Sequence, residues 1–154
     1  MAVVIRPLTQ LQAEDIAYHW HYTGEYSFYD MDADEEDLNE FLDPAGRGDH
    51  TYAVSQDDEL IGFFTILQIE GNTSEIGLGM RPDLTGRGAG QAFLKSVLHY
   101  VTVNFHPERI TLAVATFNTR AIKVYLKAGF TAADTYMQDT NGSTYEFMNM
   151  AYKC

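Results

Sequence analysis

Hydrophobic positions along the chain alternate between two periods, and the change of period marks the elements. Val3-Val4-Ile5 is a short β-branched run that predicts a strand. Thr9 with Gln12 forms a capping box that starts a helix. Ala13, Ile16, Ala17 and Trp20 then recur at i, i+3, i+4 and i+7, one face of that helix. Residues 21–31 read as an aromatic loop. Asp32 with Glu35 signals a second helix, whose apolar stripe is Leu38, Phe41 and Leu42. Pro44 to Gly48 reads as a loop. Thr51 to Ser55, Leu60 to Glu70 and Ser74 to Met80 predict three strands. The short polar connections between them argue for antiparallel hairpins. A glycine-rich turn leads into a helix over about Gly88 to Asn104, with Ala89, Phe93, Val97 and Val101 on its buried stripe. Ile110 to Ala115 predicts a strand and about Thr119 to Ala128 a helix, closed by Gly129 and Phe130. Two last strands, about 131–137 and 144–151, flank the hairpin signal Asn141-Gly142.

The order is β-α-α-β-β-β-α-β-α-β-β. It predicts a single α/β domain over residues 1–154, with a mixed, mostly antiparallel sheet of about seven strands and about four flanking helices. The early helices are expected on one face and the later ones on the other. One strand-helix-strand crossover joins the fourth and fifth strands. A length of 154 residues fits one core. Ten Lys+Arg against 22 Asp+Glu give a net charge of −12, which supplies no general footprint for nucleic acid or an anionic membrane surface. No apolar run is long enough to span a bilayer, and the first residues lack a signal-peptide pattern. The single cysteine, Cys154, makes no internal disulfide and fits a cytoplasmic location. It also ends a tail expected to fray, which makes it a poor acyl carrier.

The most informative stretch is Ile76-Gly77-Leu78-Gly79-Met80-Arg81-Pro82-Asp83-Leu84-Thr85-Gly86-Arg87-Gly88-Ala89-Gly90. A strand runs through a glycine-rich turn into a long helix, whose first N–H groups lack internal partners and favour an anion. Such a turn suits phosphate or pyrophosphate, and Arg87 could add a charge-assisted bond. There is no Gly-Lys-Ser/Thr of a nucleoside-triphosphate loop, and Gln91 stands where a dinucleotide fingerprint needs glycine or alanine. A turn that serves packing alone remains the competing reading. Gly77 and Gly79 suit a bulge and close ligand approach, or sheet packing. His19-Trp20-His21 is a weak metal signal, because i and i+2 do not share a helix face; no metal is expected.

Thr85-Gly86-Arg87-Gly88-Ala89-Gly90 resembles motif A, Gln/Arg-x-x-Gly-x-Gly/Ala, of the GNAT superfamily of acyl-CoA-dependent N-acyltransferases, with Thr85 in the Gln/Arg place. Downstream, Asn118-x-x-Ala121-x-x-x-Tyr125-x-x-x-Gly129-Phe130 is similar to the family's motif B. The resemblance implies an N-acetyltransferase that uses acetyl-CoA and acts on an amine acceptor, a small molecule or peptide, by direct attack in a ternary complex. It implies that the backbone of Leu78, Gly79 and Met80 binds pantetheine. Arg87, Gly88, Ala89 and Gly90 bind the pyrophosphate, and Asn118, which is also a good N-cap, contacts the pantetheine arm. Tyr125 protonates the departing thiolate, or else is a core tyrosine. Glu75 is the preferred base through water, with Glu70 and Asp30 in reserve. Six aromatics lie between Tyr18 and Tyr29, where composition predicts about 1.6. The family places the acceptor there, so Tyr26 and Tyr29 are expected to contact it. Together with eight acids between Asp30 and Asp43, the aromatics would suit a cationic amine. The last hairpin's edge strand is compatible with a homodimer. A coenzyme-binding sensor without transfer chemistry is the alternative.

Overall fold

The computed structural model describes residues 3–85 and 88–154. Strand β1 (Val3–Pro7) leads into α1 (Gln10–His19). The Thr9 cap forms as expected: the Gln12 N–H donates to Thr9 Oγ1 at 3.1 Å, and the Thr9 N–H donates to Gln12 Oε1 at 3.0 Å. Ala13, Ile16 and Ala17 are buried along one face, with Trp20 just beyond. The expected loop over 21–31 is instead wound into 3-10 turns at Gly24–Tyr29 and Met31–Ala33. The second of these uses up Asp32, so the cap of α2 (Glu35–Leu42) moves to Asp34, which accepts from the Glu36 and Asp37 N–H groups. A fifth, one-turn helix, α3 (Pro44–Arg47), replaces the loop expected from Pro44 to Gly48. Asp43 caps it, and Pro44 needs no N–H in its first turn.

The remaining elements are β2 (Thr51–Gln56), β3 (Glu59–Ile69), β4 (Thr73–Met80), α4 (Ala89–Phe105), β5 (Arg109–Ala115), α5 (Thr119–Ala128), β6 (Thr131–Thr140) and β7 (Ser143–Lys153). They form one seven-stranded sheet in the order β1-β2-β3-β4-β5-β7-β6. Every neighbouring pair is antiparallel except β4 and β5, which are parallel and joined through α4. The β6–β7 turn has φ of 52° at Asn141 and 77° at Gly142, positive at both positions as a tight hairpin requires.

The two faces of the sheet carry separate cores. On one, Phe93, Leu94, Val97 and Val101 of α4 pack on Val54, Phe64, Ile66, Ile110, Leu112 and Met150. Phe64 alone, fully buried, contributes about 1.5–3 kcal/mol. On the other, α1, Trp20 and Phe41 cover Ala53 and Phe63.

Of the two readings of Gly77 and Gly79, packing holds: β4 pairs with β3 without a register shift from Gly62↔Met80 to Ile69↔Thr73. Gly79 makes room for its cross-strand partner: a Cβ there would lie 2.2 Å from the Phe63 ring. At Gly77 a Cβ would meet Thr65 Oγ1 at 2.8 Å. At the expected frayed end, the Cys154 N–H donates to the Glu108 carbonyl at 3.0 Å.

Candidate active site

Parallel strands β4 and β5 are laddered only at Thr73↔Arg109, Ser74↔Ile110 and Glu75↔Thr111. Beyond that point β4 stays with β3 as far as Met80, and β5 stays with β7 as far as Ala115. The two strands therefore part, and the β5-facing backbone edge of Ile76–Met80 has no strand beside it. A cavity of about 460 Å³ fills the opening. Its walls include Ile76 to Met80 from β4, Leu112 to Val114 from β5, Gly88 and Gly90 at the start of α4, and Asn118, Arg120, Ala121, Val124 and Tyr125 from α5.

The loop after α1 closes the wide end with Trp20, Tyr22, Tyr26, Tyr29 and Met31. One phenol fastens it: the Tyr22 hydroxyl donates to the Met80 carbonyl at 2.7 Å, on the β4 side. On the β5 side, burial raises the Tyr29 phenol, and the nearby Asn118 side chain and Ala115 backbone partly offset that shift. Phe28 wedges between Phe117 and Tyr145, with ring centroids 5.4 and 4.6 Å away.

Most of the expected site residues meet at this cavity. Leu78, Gly79, Met80, Gly88, Gly90, Asn118, Tyr26, Tyr29 and Tyr125 all line it. Ala89 is half-buried and opens α4 between the two glycines. Arg87 lies outside the described residues. Thr85 lines the cavity, but its hydroxyl donates to the Pro82 carbonyl at 2.7 Å, within the turn before the glycines. Asn118 serves as N-cap of α5, accepting from the Ala121 N–H at 3.2 Å. Burial pushes the Tyr125 phenol well above its ordinary range, and nearby Tyr29 adds to the shift.

Glu75 is exposed in the last laddered pair before the opening and is not part of the cavity wall. Of the reserve acids, Glu70 lies at the turn after β3, and Asp30 accepts from the Tyr22 N–H at 2.7 Å and meets His21 at 3.1 Å. No Asp or Glu side chain lines the cavity among the described residues. The acidic helix α2 therefore does not join the tyrosines there. Its first turn borders a separate, open depression with Asn141 and Gly142. His21, Asp30 and Asp32 place potential ligand atoms within 4.8 Å of one another. In the structure both His21 ring nitrogens have hydrogen-bond partners, one Asp30 and the other the Tyr18 carbonyl.

Residues 2–131 match the family model of the acetyltransferase (GNAT) domain. The chain belongs to the GNAT acetyltransferases. This GNAT chain is 32% identical over 117 residues to the mycothiol acetyltransferase of Streptomyces coelicolor, a match covering 75% of the chain and 36% of that protein. It thus spans about a third of that relative's length. Acetyltransferase PseH of Campylobacter jejuni is 29% identical over 83 residues, covering 54% of this chain and 52% of that one. Among solved structures, a spermidine N-acetyltransferase SpeG K23-Q34 chimera from Vibrio cholerae and hSSAT superposes with a TM-score of 0.73 at 18% identity, covering 98% of this chain and 95% of that one. An acetyltransferase (GNAT family) from Bacillus anthracis gives 0.73 at 17% identity, with coverages of 98% and 94%. At these identities the likeness speaks for the fold.

Acetyltransferases of this family use acetyl-CoA, and the GNAT chain has features that fit it. The open β4 edge offers backbone groups to the amides of an extended arm. Gly88 takes a φ of 77°, and a Cβ there would meet nothing within 4 Å among the described residues, which leave the start of α4 open. Charge follows the same division. From Leu84 to Ala133 there are six Lys+Arg and a single acid, Glu108, a net of +5. The rest of the chain carries the other four Lys+Arg and 21 acids, a net of −17. A polyanionic coenzyme is drawn to the first region and repelled by the second. That acid-free run on both sides of Glu108 is the sequence signal that points to Arg120, a cavity residue the motifs alone did not single out.

Proposed function

We propose that this chain transfers the acetyl group of acetyl-CoA to the nitrogen of a small primary amine by direct attack in a ternary complex. The single observation that supports it is one continuous cavity, bounded by the bare β4 edge, the start of α4 and an aromatic loop. Backbone groups of Leu78, Gly79 and Met80 receive the pantetheine amides, and Asn118 meets the arm from α5. Amides of Gly88, Ala89 and Gly90, with Arg87, hold the pyrophosphate.

At the other end, Tyr26 and Tyr29 accommodate the acceptor. The Tyr29 face favours the cationic form of the amine as it enters. An ordinary primary amine has a pKa near 10.4, so it must lose a proton before it can attack. With no carboxylate in the wall among the described residues, that proton leaves through water, with Glu75 at the edge of the opening as its acceptor. The neutral nitrogen attacks the thioester carbonyl carbon. The carbon–nitrogen bond forms, the nitrogen gives its second proton to water, and the carbon–sulfur bond breaks. The leaving sulfur takes the hydrogen bond, and finally a proton, from the Tyr125 hydroxyl, which solvent then restores.

The test is thiol release from acetyl-CoA with a broad panel of amines, alongside calorimetry of CoA binding. Amine-dependent release is the expected result. CoA binding without turnover of any amine would turn the protein into a sensor, and no affinity for CoA would remove the reading altogether.

A further inference from the structure

We infer that the amine acceptor also carries a carboxylate, that Arg120 receives it, and that polycationic amines are poor substrates. The inference rests on the acetyl-transfer reading and narrows its acceptor class.

Arg120 sits in the first turn of α5, half-buried, and lines the cavity. Its guanidinium carbon lies 4.2 Å from the centroid of the Tyr26 ring. Its charge also reaches Tyr22, the other end of the same loop. In a chain with 22 acids, no carboxylate within 4 Å pairs with it among the described residues. A guanidinium has five donors and no acceptor, and a ring face satisfies none of them directionally. Its place over the Tyr26 ring holds the guanidinium beside a cavity residue, and its donors make no hydrogen bond among the described residues. A carboxylate is the planar anion that a guanidinium binds with two parallel bonds.

Position separates this group from the pyrophosphate cradle. The start of α4 meets α5 at Val124: a Cβ on Gly90 would lie 3.4 Å from Val124, and Gln91 Nε2 donates to the Val124 carbonyl at 2.9 Å. Arg120 is four residues earlier, about 6 Å nearer the aromatic loop. A polyamine finds no carboxylate in this wall and meets a fixed positive charge. An amine whose apolar or aromatic body ends in a carboxylate matches all three features.

Paired acceptors that differ only in the carboxylate test this: phenylalanine against phenethylamine, tyrosine against tyramine, with spermidine as the polycation. The acid-bearing member of each pair is expected to have the higher kcat/KM, by about 10- to 100-fold, with spermidine below both. In R120Q the two members should converge to within about threefold, mainly through the acceptor KM, and R120K should recover part of the difference. Equal or better turnover of the decarboxylated members by the unmodified protein overturns the inference. So does an equal loss on both members, or a fall in CoA affinity in R120Q that is absent with dephospho-CoA, which would assign Arg120 to the coenzyme. Should no amine be acetylated, the transfer reading fails separately. Calorimetry of 3-phenylpropionate with the CoA-loaded protein then still decides Arg120: binding that R120Q abolishes supports the site, and no binding refutes it.

Discussion

Replacing Tyr125 with Phe removes one oxygen atom from the cavity wall and leaves the ring in place. The ring packs 5.7 Å from that of Phe130, and the hydroxyl has no hydrogen-bond partner among the described residues. Folding therefore loses little, and the melting temperature should move by no more than about 2 °C. Catalysis loses more. A phenol ordinarily titrates near 10 and a thiol near 8.5, so complete proton transfer to a thiolate is uphill by about 2 kcal/mol even before burial is counted. Burial raises the phenol further. In the proposed reaction Tyr125 therefore acts first as a hydrogen-bond donor to developing charge on sulfur, an interaction worth about 1.5–3 kcal/mol. Losing it predicts a fall in kcat of about 10- to 150-fold. The affinity for CoA, measured by calorimetry, should change far less. Because the shift favours the neutral phenol, Tyr125 produces no descending limb in the kcat profile below about pH 10. A kcat within threefold of the unmodified protein refutes the donor role. A limb below pH 10 that disappears in Y125F refutes the argument from burial.

Three further outcomes follow from the geometry. G79A drives a methyl into the Phe63 ring, itself held between Trp20 at 6.1 Å and Phe41 at 5.4 Å, and should cost about 1–3 kcal/mol in urea unfolding; G77A, which meets only the Thr65 hydroxyl, should cost less, and the reverse order would contradict the packing account. Hydrogen bonds from the backbone of Asp37, Asn141 and Glu36 lower the Asp34 carboxyl below its usual range, so its stabilisation stands above that range and is lost as pH falls through it. The urea midpoint of D34A should therefore trail the unmodified protein at pH 7 and approach it near about pH 2.5. His21 faces acceptors with both ring nitrogens, Asp30 and the Tyr18 carbonyl, which favours the doubly protonated ring and raises its pKa. Its contribution is present at low pH and fades as pH rises through that value; an NMR titration should place it above about 6.5, and D30N should bring it down.

The strands and both long helices were legible because their patterns are local. The boundaries of α4 and α5 follow from apolar spacing and from Gly88, Asn118 and Gly129. The errors cluster where distant partners decide. Asp32 and Asp34 are equivalent as caps by local chemistry. Asp34 has an additional contact, the N–H of Asn141, 107 residues away in the β6–β7 turn. Gly77 and Gly79 read equally well as a bulge or as packing until the rings and hydroxyls across the strand are placed. The parting of β4 and β5 is not legible from periodicity, since nothing in either strand marks where pairing stops. The aromatic run after α1 showed that a wall was being built there. Arg120 was missed because a single cation in an amphipathic helix resembles any solvated residue until its lack of a carboxylate partner is visible.

The loop that carries Tyr22, Tyr26 and Tyr29 belongs to no strand ladder; the Tyr22 phenol and the Phe28 wedge hang it on the sheet. The part of the protein proposed to meet the acceptor is thereby decoupled from the part that makes the chain fold. Replacements at loop positions other than those anchors alter what enters the cavity without disturbing the strand edge opposite. A scaffold wired this way can exchange one nucleophile for another over evolutionary time while keeping its grip on the acyl donor. That is one route by which a single architecture can persist while its sequences drift far apart.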